Sequence, residues 1–281
     1  MNLLWSFVGL IGIYAILFAI ALRSHGGFLG NLRALLHGSK PPGIPNWLIV
    51  MPFLSSALLL VVIGVTSLLD KLGIPTGSLQ PRDPYFTLYA LTYSPILEEI
   101  MFRISTLGLL VALRALWSGT WKVRIVAISF LSPERVKAVA GLPRISEKGL
   151  RGLHWTEWLL LAITSSLFGL AHLLAGGGWQ PGKVVTATIS GLALGISFLT
   201  YGAYASILLH WFFNFYFETF ALGADLLHGG LGAIGELVSL LTLALGILGI
   251  ALALAWLIFS TTSREEAPTA YMPADPPRER V

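Results

Sequence analysis

Glu98, Glu99 and Arg103 fall within six residues of one another in Tyr85 to Trp117, a stretch that is otherwise largely apolar. Placing one such charge at the centre of a membrane helix costs roughly 2.5 to 3.5 kcal/mol. Three together need partners, and ionisable groups inside an apolar span are read as a functional site. On a helix Glu99 and Arg103 are spaced i, i+4, so they share a face and can pair. Glu98 points about 100° away and must look for a different partner. Adjacent carboxylates do not readily both ionise, so Arg103 holds one as a carboxylate and leaves the other for proton chemistry. The same i, i+4 spacing recurs in Phe168-Gly-Leu-Ala-His172 and in His210-Trp-Phe-Phe-Asn214. A carboxylate with an imidazole can activate water as a general base. A histidine with an asparagine amide can donate hydrogen bonds to an oxyanion. The combination suits peptide hydrolysis.

These residues must be positioned by helices in lipid. Of 281 residues, 55 % are apolar and only 11 % charged, with a mean hydropathy of +0.77. A soluble domain carries about 25 % charged residues. The chain has no cysteine, which excludes disulfides, thiol nucleophiles and cysteine-bound zinc. Its net charge of +4 sits in loops between apolar segments. That pattern fits topology charges beside anionic lipid, not nucleic-acid binding.

The reading is an all-α polytopic bundle of seven or eight membrane segments, forming one domain over 1–259 with a polar, disordered tail over 260–281. Leu3 to Leu22 is a retained first span and Trp47 to Leu69 a second, with Trp47 as an interfacial anchor. Because proline suits a first turn, a helix is expected to start near Pro95 and run to Trp117, leaving Tyr85 to Tyr93 as a short partial or re-entrant piece. A hydrophilic insert, 118–154, carries seven Lys/Arg against two acids. Spans at Thr156–Ala175, Val184–Leu199, Tyr204–Leu222 and Leu231–Phe259 follow, with a tight turn at Gly202. Glu218 lies one turn beyond Asn214 and is left out of the site. His25, His37, His154 and His228 fall in loops or near span ends and are read as solvated.

In this order, on successive membrane helices, Glu-Glu-x-x-x-Arg, Phe-x-x-x-His and His-x-x-x-Asn resemble the CPBP family. That family includes the type II CAAX prenyl endopeptidases and bacteriocin-processing or self-immunity proteins. Ser94 to Arg103 looks like its first motif and Phe168 to Leu173 its second. Gly191 to Gly195 and His210 to Asn214 look like its closing segments. The resemblance covers about 85–222. It implies that Glu98 is the general base, that His172 helps orient the water, that Glu99 and Arg103 support the site, and that His210 and Asn214 stabilise the oxyanion. It also implies a membrane-bound or prenylated peptide substrate. The insert is longer than the family leads one to expect, and Ile104 replaces the glycine often found after the arginine.

Other chemistries fit less well. There is no His-Glu-x-x-His, no Gly-x-Ser-x-Gly and no mid-span aspartate pair. A glutamate with two histidines could bind zinc, but a metal-free glutamate mechanism without cofactor is preferred, partly on the resemblance. The contrasting reading is a non-catalytic immunity or scaffold protein, or a proton-coupled carrier, using the same polar cluster. The chain is taken as a multi-pass protein of a prokaryotic cell membrane. The basic residues of loop 23–46, the insert and the tail place those segments in the cytoplasm, whereas Glu98 at a helix start and His172 near a helix end would then lie toward the opposite face.

Overall fold

The computed structural model describes residues 3–39, 44–78, 83–120, 123–226 and 230–262. His228 and the tail beyond 262 lie outside the described residues. In chain order the helices are α1 (Leu3–Arg23), α2 (Phe28–Leu36), α3 (Trp47–Lys71), α4 (Pro84–Glu99), α5 (Ser105–Trp117), α6 (Val123–Leu131), α7 (Pro133–Val139), α8 (Ile145–Lys148), α9 (Trp155–Leu174), α10 (Gly182–Tyr201), α11 (Ala203–Leu226) and α12 (Gly230–Thr262). Among the described residues there is no strand, only an isolated bridge between Gly77 and Trp179.

Among the described residues five helical segments are long and apolar enough to cross a membrane: Trp5–Arg23, Trp47–Lys71, Trp155–Leu174, Gly182–Tyr201 and Ile234–Ala255. Their large apolar side chains point outward, as with Ile16 on α1, Leu167 on α9 and Leu240 on α12. Polar and charged groups, including Glu99, Arg103, Ser165 and His210, are buried inside. That inversion is what a lipid solvent selects. Around this interior α10 packs between α9 and α11, α11 lies on α4, and α12 lies along α3.

Gly202 separates α10 from α11 at φ 102°, a left-handed conformation that suits glycine. A Cβ there would also collide with the carbonyl of Leu131. The tight turn expected from the sequence is therefore required twice over.

The structure corrects three expectations and gives the insert, 118–154, a fold of its own. First, Tyr85–Tyr93 is not a separate piece. Pro84, not Pro95, takes the first-turn position, capped by Asp83, whose carboxylate accepts from Phe86 N at 2.9 Å. Pro95 lies inside α4. The helix then passes through a π-helical turn, Ile100–Ile104, into α5. Pro84 to Trp117 is thus one rod roughly 50 Å long at 1.5 Å per residue, with Glu98 near its middle. The rod and α11, which carry Glu98, Glu99, Arg103, His210 and Asn214, are not among the five apolar spans.

Second, the insert is folded. It forms α6, α7, α8 and a 3₁₀ turn, Gly149–Gly152, packed on α5 and α10. Its anchor is a buried charge network. Glu157 of α9 accepts from Arg114 of α5 at 2.8 Å and from Lys137 of α7 at 3.0 Å, and Lys137 also donates to the Gly152 carbonyl at 2.8 Å. Buried charges persist when paired and hydrogen-bonded in this way.

Third, Trp47 is not an interfacial anchor. It is fully buried, with its ring 4.8 Å from that of Tyr201. Fourth, two loop histidines are built into the fold. His25 packs edge-on against Tyr201 at 5.1 Å and meets the Tyr204 hydroxyl. His154 caps α9, with Nδ1 accepting from Thr156 N. His37 is exposed, as expected.

Candidate active site

The rod, α9, α10 and α11 bring the predicted residues together. On the rod, Arg103 Nη1 donates to Glu99 Oε1 at 2.9 Å, and neither side chain is more than 1 % exposed. The i, i+4 pair read from the sequence therefore exists, across the start of the π-helical turn. Arg103 also lies over the ring of Phe168 on α9, with its guanidinium carbon 4.1 Å from the ring centroid. Behind it α10 presents Gly191, where a Cβ would sit 3.0 Å from Arg103 Nη2 and 3.1 Å from the Ser165 backbone. A glycine there is what lets α9, α10 and the arginine close on one another.

From α11, His210 Nδ1 donates to the same Glu99 oxygen at 2.9 Å. Its other nitrogen, Nε2, faces Glu98 Oε2 at 3.5 Å. The partner that Glu98 lacked on its own helix is thus His210, which stands between the two carboxylates. With Nδ1–H committed to Glu99, the contact to Glu98 is attractive only when a proton lies between Nε2 and the carboxylate. Both ring nitrogens are directed at glutamates, so the oxyanion role implied by the resemblance would require Nε2 to leave Glu98.

Glu98 differs from its neighbour. Its side chain is 28 % exposed, against none for Glu99. It lines a cavity of about 360 Å³ together with His172, Asn214, Ser94, Trp179 and Lys183. This volume is in the range of small-ligand sites, roughly 300 to 1,000 Å³. His172 Nδ1 donates to the Phe168 carbonyl at 2.8 Å. In the neutral ring this leaves Nε2 as an acceptor. Asn214 Nδ2 donates to Ser94 Oγ at 3.0 Å. The Glu218 side chain lies outside the described residues.

Ala175, Gly176 and Trp179, from the connection between α9 and α10, line the same cavity. This connection lies at the end of α9 opposite the insert, because α9 runs from the insert to His172. Among the described residues no three His, Asp or Glu side chains converge as a metal-ligating group.

Lys183 and Trp179 were not singled out from the sequence. The available signal was a lone lysine in the first turn of an otherwise apolar span.

Residues 138–216 match the family model described as type II CAAX prenyl endopeptidase Rce1-like. The match contains Phe168, His172, Gly191, His210 and Asn214 and agrees with the resemblance read from the motifs. Glu98, Glu99 and Arg103 precede it, and the structure joins them to it through His210 and Phe168. Searches of curated proteins and of solved structures returned no match. Over residues 138–216, under a third of its length, the chain is similar to the type II CAAX prenyl endopeptidases of that description.

Proposed function

We propose that this chain is an endopeptidase of the cell membrane, similar to the CAAX prenyl proteases, that cleaves a membrane-bound or prenylated protein with a glutamate-activated water. The observation that carries the reading is the position of Glu98. It reaches the wall of a cavity while the rest of its charge cluster stays buried behind it.

In the proposed reaction Glu98 removes a proton from water as the water oxygen attacks the scissile carbonyl. His172 Nε2 accepts the other water proton as a hydrogen bond and so orients the nucleophile. The C–O bond forms, and the carbonyl electron pair moves onto oxygen. Asn214 donates to that oxyanion from across the cavity, a type of interaction whose loss costs about 10²- to 10³-fold in kcat. On collapse the C–N bond breaks, and the leaving amine takes the proton held by Glu98. Glu99 and Arg103 keep His210, and through it Glu98, in place.

The test is cleavage of a panel of membrane peptides, prenylated ones included, by purified protein in detergent with and without chelator. Glu98→Gln and His172→Ala are compared with wild type. Cleavage that persists in chelator and vanishes in both variants is the expected result. Loss of activity to chelator alone would point to a zinc site instead. Flux of protons or solute that depends on Glu98, with no cleavage of any peptide, would favour the carrier reading.

A further inference from the structure

Tyr14 on α1 lies outside the family match and outside the motif-bearing stretch 85–222. Its side chain is buried. Its hydroxyl donates at 2.9 Å to the backbone carbonyl of Thr92 on the rod. Its ring packs on Trp211 of α11, with centroids 4.9 Å apart, and Trp211 directly follows His210. The hydroxyl is also near enough to feel the charge of Glu99. One side chain thus touches both elements that carry the glutamates and their imidazole.

The rod needs such a contact at this level. Pro95 lies inside α4, has no N–H, and leaves the Leu91 carbonyl without its donor in the helical ladder. The π-helical turn, Ile100–Ile104, follows shortly after. Prolines and π-type turns are where long helices change direction. Glu98 and Glu99 stand on the short stretch between these two irregularities, so the backbone ladder alone does not set their direction. Contacts from neighbouring helices must set it. From α11, Asn214 Nδ2 holds Ser94 Oγ at 3.0 Å. From α1, Tyr14 holds the main chain at Thr92, which shares a face with Glu99 at i, i+7. A bond to a backbone carbonyl constrains the rotation of the rod itself, not a side-chain rotamer.

We propose that Tyr14 is a positioning residue of the site: it fixes the rotation of the rod across the proline so that Glu98 and Glu99 both meet His210. This rests on the endopeptidase reading given above. Tyr14 does not line the cavity, and it moves no proton in the reaction. Removing its hydroxyl frees the Thr92 carbonyl while the ring stays on Trp211. The glutamates then lose register with His210 although the helices remain packed. Misplacing a catalytic group by about 1 Å can cost on the order of 10²-fold in rate.

The experiment compares Tyr14→Phe with wild type in cleavage kinetics, in thermal unfolding in detergent and in deuterium uptake of backbone amides. Tyr204→Phe is the control, because it removes a buried tyrosine hydroxyl that meets Ser24 at the insert end of the bundle. Tyr14→Phe is expected to lower kcat by about tenfold to a hundredfold and to change KM by less than about twofold. Its amides within 92–104 are expected to exchange faster, while those of α9 and α10 keep the wild-type rate. Tyr204→Phe is expected to leave kcat within about twofold of wild type, whatever its melting temperature. Unchanged kcat in Tyr14→Phe overturns the proposal, and so does unchanged uptake over 92–104. A kcat loss that Tyr204→Phe shares at an equal drop in melting temperature also overturns it, since the hydroxyl would then be structural only. A rise in KM as large as the fall in kcat would make Tyr14 a substrate contact and overturn the assignment. If well-folded wild type cleaves no peptide, the endopeptidase reading falls, and uptake over 92–104 alone decides whether Tyr14 holds the rod.

Discussion

Glu99 and His210 meet at 2.9 Å across two helices, through an oxygen that Arg103 also holds at 2.9 Å. That single carboxylate oxygen couples the rod to α11 and fixes the imidazole facing Glu98. Two neighbouring glutamates therefore carry opposite consequences. Glu99→Ala leaves the Arg103 charge buried without its carboxylate and is expected to destabilise the protein by about 3 to 5 kcal/mol. Glu98→Gln, at the cavity wall, is expected to change stability by no more than about 1 kcal/mol while abolishing activity. Thermal unfolding in detergent beside a cleavage assay separates the two. Similar melting losses for both variants would contradict this division.

Gly191 is where helix packing and the site meet. A Cβ there would press on Arg103 Nη2 and on the Ser165 backbone. Gly191→Ala should lower stability by roughly 1 to 3 kcal/mol, the cost of overpacking, and should reduce kcat more than it raises KM. A fully active, unshifted Gly191→Ala protein would show that α9 and α10 separate freely.

The anchor of the insert lies far from the cavity. Glu157→Ala leaves Lys137 fully buried with only the Gly152 carbonyl. A loss of about 3 to 5 kcal/mol is expected. Lys137→Met keeps Glu157 paired with Arg114 and should cost less. Limited proteolysis should cut within 118–154 in Glu157→Ala well before it does in wild type.

His25 gives the fold a pH dependence. Burial is the main cause that pushes its pKa below the ordinary 6.5, and the charge of Arg135 adds to it. The folded state therefore favours the neutral ring. Above pH 6.5 both folded and unfolded chains carry it neutral. As the pH falls below 6.5 the unfolded chain binds a proton first, so stability is lost toward acid. The melting temperature of His25→Gln should fall less steeply than that of wild type between about pH 6.5 and 5. Parallel slopes would remove His25 as the source.

The cavity lies at the end of α9 away from the basic insert, so the positive-inside rule predicts that it opens away from the cytoplasm. Because the chain has no cysteine, single cysteines report sidedness cleanly. Ser78→Cys should react with an impermeant maleimide on intact cells, and Ser118→Cys only after lysis. The reverse pattern would invert the assignment.

Much of this was legible in the sequence. Long apolar runs marked the spans because a helix in lipid must satisfy its backbone internally and face hydrocarbon with its side chains. The Glu99–Arg103 pair, the Phe168–His172 turn and the candidate status of Glu98, His210 and Asn214 followed from helical spacing and from the cost of charge in an apolar setting. Neither consideration says how helices lie against one another. Only tertiary packing decided that His210 faces both glutamates. The same packing buried Lys137 of the insert by pairing it with Glu157 of α9, and it made Lys183 a cavity residue. Spacing along a chain determines which side chains share a face. The partner of that face depends on contacts between residues more than a hundred positions apart, such as Glu99 and His210, and one-dimensional periodicity does not contain them.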